Sequence, residues 1–143
     1  TMLGNSILST PETLDPQKSM AMKLGDAPNP DSLYAVSKLF GEQLGKLYSE
    51  QCGLSFIGLR IGWTIPENDP TVMRGTSAEA YMRAMFLSHR DCVQAHRRAL
   101  EVDARYMLAY VVSDNGRRVF DLDETRALLG YEPQDDAEAF FLR

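Results

Sequence analysis

The chain has 143 residues, 44% of them apolar and 24% charged, with a formal net charge of −5, which is the make-up of one ordinary globular domain. That charge, without any Lys/Arg block, excludes the basic footprint of a nucleic-acid binder, and no stretch approaches the length of an apolar membrane span. Cys52 and Cys92 lack metal-ligand company, so a disulfide framework is excluded and a reducing, cytoplasmic setting is expected.

Residues 1–30 are rich in Pro, Ser, Thr and Asn, with Pro11, Pro16, Pro28 and Pro30 as breakers. They predict a long loop or lid with at most a short helical turn. The chain opens Thr1-Met2-Leu3-Gly4, so it is expected to begin inside a larger protein. Asp31 or Ser32 then caps a helix in which Leu33, Val36, Phe40, Leu44, Leu47 and Tyr48 recur at the helical period and predict the core-facing side. Gly53 is its expected stop.

Leu54–Ile61 reads as a short buried strand, with Gly58 marking a close approach of another backbone. A loop from Gly62 to Pro70 leads to a short helix over Ser77–Phe86. Ser88 with Asp91 resembles a capping box and opens a helix to about Val102. Met107–Ser113 predicts a second buried strand, ending in the turn Asp114-Asn115-Gly116. Asp121 with Glu124 repeats the capping signal, and Gly130 closes the last helix. His89 and His96 have no metal-ligand partner in register and are expected to be structural, Met82 and Met85 to pack in the core, and Asp135 and Asp136 to be solvated. Alternating buried strands and helices predict an α/β fold with a parallel sheet. Two strands do not make a stable sheet of that kind, so further strands from elsewhere in a longer chain, or self-association, are expected to complete it.

The chemistry-bearing stretch is Leu33-Tyr34-Ala35-Val36-Ser37-Lys38-Leu39-Phe40-Gly41-Glu42. Tyr34 and Lys38 stand four apart, which places them on one helix face one turn apart. An ammonium held beside a phenol favours the phenolate, so the pair suits acid/base work. The same spacing also arises in ordinary amphipathic helices, as a tyrosine beside a solvated lysine.

Tyr34-Ala-Val-Ser-Lys38 followed by Phe40-Gly41-Glu42 resembles the Tyr-x-x-x-Lys helix of the extended short-chain dehydrogenase/reductase family, the NAD-dependent epimerases and dehydratases. Gly53-Leu54 through Arg60-Ile61-Gly62 resembles the family's next strand. Leu87-Ser88-His89-Arg90-Asp91 resembles a helix opening, and Val111–Ser113 with Leu128–Pro133 resembles the closing strand and helix. Arg60-Ile61-Gly62 and Pro133-Gln134-Asp135-Asp136 are most similar to the uronate dehydrogenase branch.

The resemblance implies the C-terminal part of a Rossmann-type, doubly wound parallel sheet with a small substrate-binding region, the Gly-rich N-terminal half being absent. It divides the chain, as a single partial domain, into a loop or lid (1–30), the Tyr-x-x-x-Lys helix and following strand (31–62), a substrate region with helices (63–106), and the last strand with a C-terminal helix (107–143). The implied activity is that of an NAD-dependent sugar epimerase, dehydratase or dehydrogenase acting on a nucleotide sugar or sugar acid, with NADP as the alternative cofactor. Tyr34 would be the general base and Lys38 would hold the nicotinamide ribose. Ile61, Gly62 and Trp63 would lie against the cofactor, and Arg74 or Arg83 would bind a substrate carboxylate. A homodimer through the Tyr34 helix is also implied.

Two departures accompany the resemblance. No G-x-G-x-x-G turn is present to seat a pyrophosphate, and the family's catalytic Ser or Thr is expected before Thr1, since Thr1, Ser6, Ser9 and Thr10 end no convincing strand. The chain alone is therefore expected to be inactive. Trp63 stands where the uronate branch has a small hydroxyl residue, and would narrow the pocket or pack as a plain apolar wall. The competing reading is a non-catalytic dimerisation or regulatory module derived from the same fold.

Overall fold

The computed structural model describes residues 21–142. Most of the expected 1–30 loop, with Thr1, Ser6, Ser9 and Thr10, lies outside the described residues. The elements run α1 (Leu33–Cys52), β1 (Phe56–Ile61), a 3₁₀ turn (Pro70–Met73), α2 (Glu79–Met85), α3 (His89–Glu101), β2 (Tyr106–Val111), α4 (Asp123–Leu129) and α5 (Ala137–Phe141). β1 and β2 pair in parallel, from Phe56 opposite Tyr106 to Ile61 opposite Val111. This is the α/β architecture with a parallel sheet that the alternating pattern predicts.

The period of two sorts each strand between two layers. Ile57, Leu59, Ile61, Met107, Ala109 and Val111 pack with Leu87, Ala95, Leu129 and Tyr131, on the side covered by α3 and α4. Phe56, Gly58 and Arg60 stand on the opposite side with Tyr106, Leu108 and Tyr110, under α1. β2 ends fully buried, whereas every residue of β1 stays half-buried. β1 pairs with β2 alone among the described residues, so its other edge is open.

Local signals place the helix ends as expected. The Ser32 hydroxyl accepts from the Ala35 amide at the start of α1, and Gly53 ends it in the left-handed region at φ 70°, where only glycine is unstrained. Ser88 caps α3 by accepting from the Asp91 amide. The capping signal at Asp121 is shifted: α4 starts after Leu122, and Asp121 instead accepts from the Asp123 amide at 2.8 Å.

The orientation of α1 corrects the sequence reading. Leu33, Val36, Phe40, Leu44, Leu47 and Tyr48 do not face the core; Leu33 is 90% and Phe40 67% exposed. The buried positions are Ala35, Gly45 and Ser49, a stripe with almost no side chain. The reason is spacing: the Phe56 ring lies where a Cβ on Gly45 would project, so α1 sits close on the sheet through its small residues. The apolar stripe is left outside.

The C-terminal segment also differs from expectation. Asp136 caps α5 by accepting from the Glu138 amide, and Asp135 pairs with Arg90. Neither is a solvated tail residue.

Candidate active site

α1 runs antiparallel to β1, and a ladder of contacts fixes the alignment. Near the foot of the helix, the Ser49 hydroxyl donates to the Arg105 carbonyl at 2.8 Å. One turn up, Gly45 meets Phe56. Higher still, Arg60 forms a two-pronged pair with Glu42, Nε to Oε1 and Nη2 to Oε2 both at 2.9 Å. The helix N-terminus, with Tyr34, therefore lies at the carboxyl end of the strands, where open α/β sheets place their ligands.

At that end Tyr34 is 53% exposed. The Lys38 ammonium stands over the ring, 5.0 Å from its centroid. The two groups face one space, as their four-residue spacing predicts. Below them a groove of about 390 Å³ follows the open edge of β1, lined by Lys38, Gly41, Glu42, Gly58, Arg60 and Ile61.

The residues after β1 are held by backbone bonds. The Gly62 amide donates to the Val111 carbonyl at 2.8 Å, the Trp63 amide to Met85 at 2.6 Å, and the Leu87 amide to Trp63 at 3.0 Å. A Cβ on Gly62 would collide with the Met85 carbonyl oxygen and the Val112 side chain, which is why a glycine stands there. Trp63, half-buried, packs its ring 5.4 Å from Tyr81 at an interplanar angle of 55°. The Tyr81 phenol is pushed up to about 12 by burial, with the Asp31 carboxylate adding to the shift.

Arg74 and Arg83 come together, on the Phe141 ring. The Arg83 guanidinium lies 3.6 Å from its centroid and Arg74 5.1 Å. Arg83 is further tied to Glu79 at 2.7 Å and Glu138 at 2.8 Å. Arg74 donates to the Phe141 carbonyl at 3.3 Å. His89 contacts the Ile65 carbonyl and His96 the Cys92 carbonyl. No group of three or more potential metal ligands exists among the described residues.

The Trp63–Tyr81 contact escaped the sequence reading. A tyrosine two residues from an arginine on a short helix carries no signal of its own until the fold brings Trp63 against it. Among the described residues, no glycine-rich turn links a strand to a helix that could seat a pyrophosphate. Tyr34, Lys38 and the end of β1 fit the nicotinamide half of a dinucleotide: an open groove, an ammonium and a phenol at a strand's carboxyl end.

No family model matches the chain. It is 40% identical over 131 residues to the L-arabinose 1-dehydrogenase (NAD(P)(+)) of Haloferax volcanii, covering 89% of this chain and 51% of that protein. It is 35% identical over 133 residues to the NAD-dependent glucose-6-phosphate dehydrogenase of the same organism, covering 92% and 48%. With the uronate dehydrogenase of Pseudomonas putida it shares 34% identity over 112 residues, 78% of this chain and 38% of that one. Its fold is similar to a glucuronic acid dehydrogenase from Chromohalobacter salexigens, with TM-score 0.71 and 28% identity over 86% of this chain and 43% of the other. A mutant uronate dehydrogenase from Agrobacterium tumefaciens complexed with NAD matches at TM-score 0.70 and 27% identity, again over 86% and 43%. The chain spans about half the length of the Haloferax relatives it matches. In sequence and in fold it is similar to NAD(P)-dependent sugar and sugar-acid dehydrogenases, over about half of their length, and its parallel α/β architecture matches that part of their Rossmann-like fold.

Proposed function

We propose that the chain is the C-terminal part of a dehydrogenase that oxidises a carbinol of a sugar or sugar acid with NAD, NADP being the alternative. The relatives named for dehydrogenation favour that chemistry over an epimerase or dehydratase. The observation that carries the reading is the Tyr34–Lys38 pair, an accessible phenol beneath an ammonium at the carboxyl end of a parallel sheet.

In this reading Tyr34 Oη takes the hydroxyl proton of the substrate, as general base. The Lys38 ammonium stabilises the phenolate that does so, and reaches a ribose hydroxyl of the cofactor. Ile61, Gly62 and Trp63 border the nicotinamide. Bound NAD supplies the hydride acceptor. Arg74 and Arg83 are the candidate anchors for a substrate carboxylate, and they would meet it only from the Phe141 side of α2. The pyrophosphate seat and the remaining hydroxyl-bearing catalytic residue belong to the rest of the longer protein, so this chain alone is inactive. The parts 31–62, 63–106 and 107–143 then serve as base-bearing helix and strand, substrate region, and closing strand with helix.

The test is Tyr34→Phe in the longer protein. Its kcat should fall by about 10²–10⁴, the range of a lost general base, with NAD affinity unchanged by calorimetry. Undiminished turnover would refute the assignment. The second reading, a non-catalytic dimerisation or regulatory module, draws on one observation: the apolar outer stripe of α1 from Leu33 to Leu47 is exposed. A longer protein that binds no NAD and oxidises no sugar would favour it. A homodimer through the Tyr34 helix is compatible with both.

A further inference from the structure

We infer, on the dehydrogenase reading above, that Arg60 is a positioning residue for the reaction: by filling both oxygens of Glu42 it keeps that carboxylate from drawing the Lys38 ammonium away from Tyr34.

Tyr34, Lys38 and Glu42 follow one another at four-residue steps along α1, so the ammonium has a neighbour one turn away on either side. Before it stands a phenol ring, after it a carboxylate. Lys38 and Glu42 line one groove, together with Arg60. An uncompensated carboxylate attracts an ammonium with the full force of two opposite charges, more strongly than the face of a ring does. Lys38 nevertheless leans over Tyr34, 5.0 Å from the ring centroid.

The occupancy of Glu42 accounts for that choice. Arg60 Nε and Nη2 reach its two oxygens at 2.9 Å each, so one guanidinium cancels the charge and answers both oxygens at once. The positive charge of Arg60 also disfavours a second cation beside it. Arg60 is itself held: its Nη1 donates to the Tyr110 hydroxyl at 3.2 Å, and its guanidinium lies 5.4 Å from the centre of that ring. The two residues are register partners across β1 and β2, and Tyr110 is stacked on Phe120 at 4.1 Å. The fork therefore has a fixed seat on the sheet, which the point charge of a lysine would not reproduce. Lys46 also stands four residues from Glu42, but it is not among the residues lining the groove and leans to Glu50 at 3.9 Å.

A tether and a positioning group differ in their consequences. A tether between α1 and β1 breaks when either partner is removed. Lys38 leaves Tyr34 only when Glu42 stays and Arg60 goes.

The experiment uses the longer protein that carries this chain, with NAD and NADP, and with L-arabinose, D-glucuronate and glucose 6-phosphate as probes. Turnover is taken per folded molecule on the best of the three. Arg60→Met should lower kcat at neutral pH by at least about tenfold, part of the roughly 10²–10⁴ that a general base contributes, and should move the acid limb of the kcat–pH profile to higher pH. Glu42→Gln keeps an acceptor for Arg60 but no charge to attract Lys38. It should lose no more than about threefold, less than half a decade, and should not raise the limb. Adding Glu42→Gln to Arg60→Met should restore both rate and limb. If Arg60→Met does not fold, Arg60→Lys replaces it, with a smaller loss and a limb shift in the same direction expected. Equal losses in the arginine variant and Glu42→Gln, an unmoved limb in the arginine variant, or a double variant as slow as Arg60→Met would overturn the positioning role and leave the dehydrogenase reading standing. A longer protein that reduces neither cofactor with any probe would overturn both.

Discussion

Arg60 and Glu42 close a two-pronged ion pair between β1 and α1, with side chains only 10% and 12% exposed. A third donor of Arg60 reaches the Tyr110 hydroxyl at 3.2 Å. This pair holds the upper half of α1, and with it Tyr34, over the strand end. Glu42→Ala leaves a guanidinium largely buried without its counter-charge, which costs about 3–5 kcal/mol. Replacing both partners by leucine should cost much less, because no charge is stranded. Urea unfolding of Glu42→Ala and of the double leucine variant reads the difference. Equal losses in Glu42→Ala and the double variant would mean that packing, not charge, ties α1 down.

Asp91 is fully buried at the start of α3 and answered from three sides. Ser113 Oγ donates to it at 2.6 Å, the Gln134 amide at 2.8 Å and the Asp135 amide at 3.1 Å. All three are donors, so the site requires an acceptor on both oxygens. Asp91→Asn turns one oxygen into a donor facing a donor. It should therefore destabilise by about 1–3 kcal/mol, the cost of unmatched buried polar groups, despite its near-identical shape. Thermal denaturation checks it; a neutral Asp91→Asn would show that the C-terminal segment is held by Tyr131 and Phe141 instead.

Burial above all, with the Asp91 charge adding to it, pushes the Tyr131 phenol well above its ordinary value. Its hydroxyl donates to the Val112 carbonyl at 2.9 Å. Its stabilising share is fully present below about pH 10, the unfolded value. As pH rises from there toward the raised native value, the unfolded chain releases a proton that the native state keeps, and stability falls. Tyr81, held up to about 12 chiefly by burial, adds to the same alkaline limb. Tyr131→Phe should cost about 1–3 kcal/mol at neutral pH by orphaning the Val112 carbonyl, and should flatten the decline above pH 10. Denaturant midpoints across pH 8–12, with tyrosinate absorbance alongside, measure both.

Much of this was legible in the residues. Caps at Ser32 and Ser88 and stops at Gly53 and Gly130 fix helix ends by local chemistry, which sequence reports faithfully. The side on which α1 packs was not legible. A helical period reveals that an apolar stripe exists, not what covers it. Here the buried positions are Ala35, Gly45 and Ser49, whose contribution lies in having little side chain. α5 was hidden for a related reason: its start is set by Asp136, which also accepts from the distant Gly116 amide at 3.0 Å. Tyr34 and Lys38 were readable because four-residue spacing on a helix is a local fact. The Trp63–Tyr81 contact joins residues on separate elements, and no local rule pairs them.

The outer stripe of α1 carries the last prediction. Val36, Phe40, Leu44 and Leu47 are at least a third exposed and lie on one helix, a contiguous apolar surface of the kind that marks an interface. Gly41, open to solvent with nothing near its missing side chain, would let a facing helix approach closely. If two copies pair there, Phe40→Glu with Leu47→Glu should convert a dimer to a monomer in sedimentation velocity. Each glutamate would bury a charge against apolar neighbours across the symmetry axis, where nothing neutralises it. Far-UV circular dichroism should stay unchanged, since both positions are exposed within one chain. A protein that is already monomeric at micromolar concentration, or that stays dimeric with both glutamates, would exclude this face as the contact.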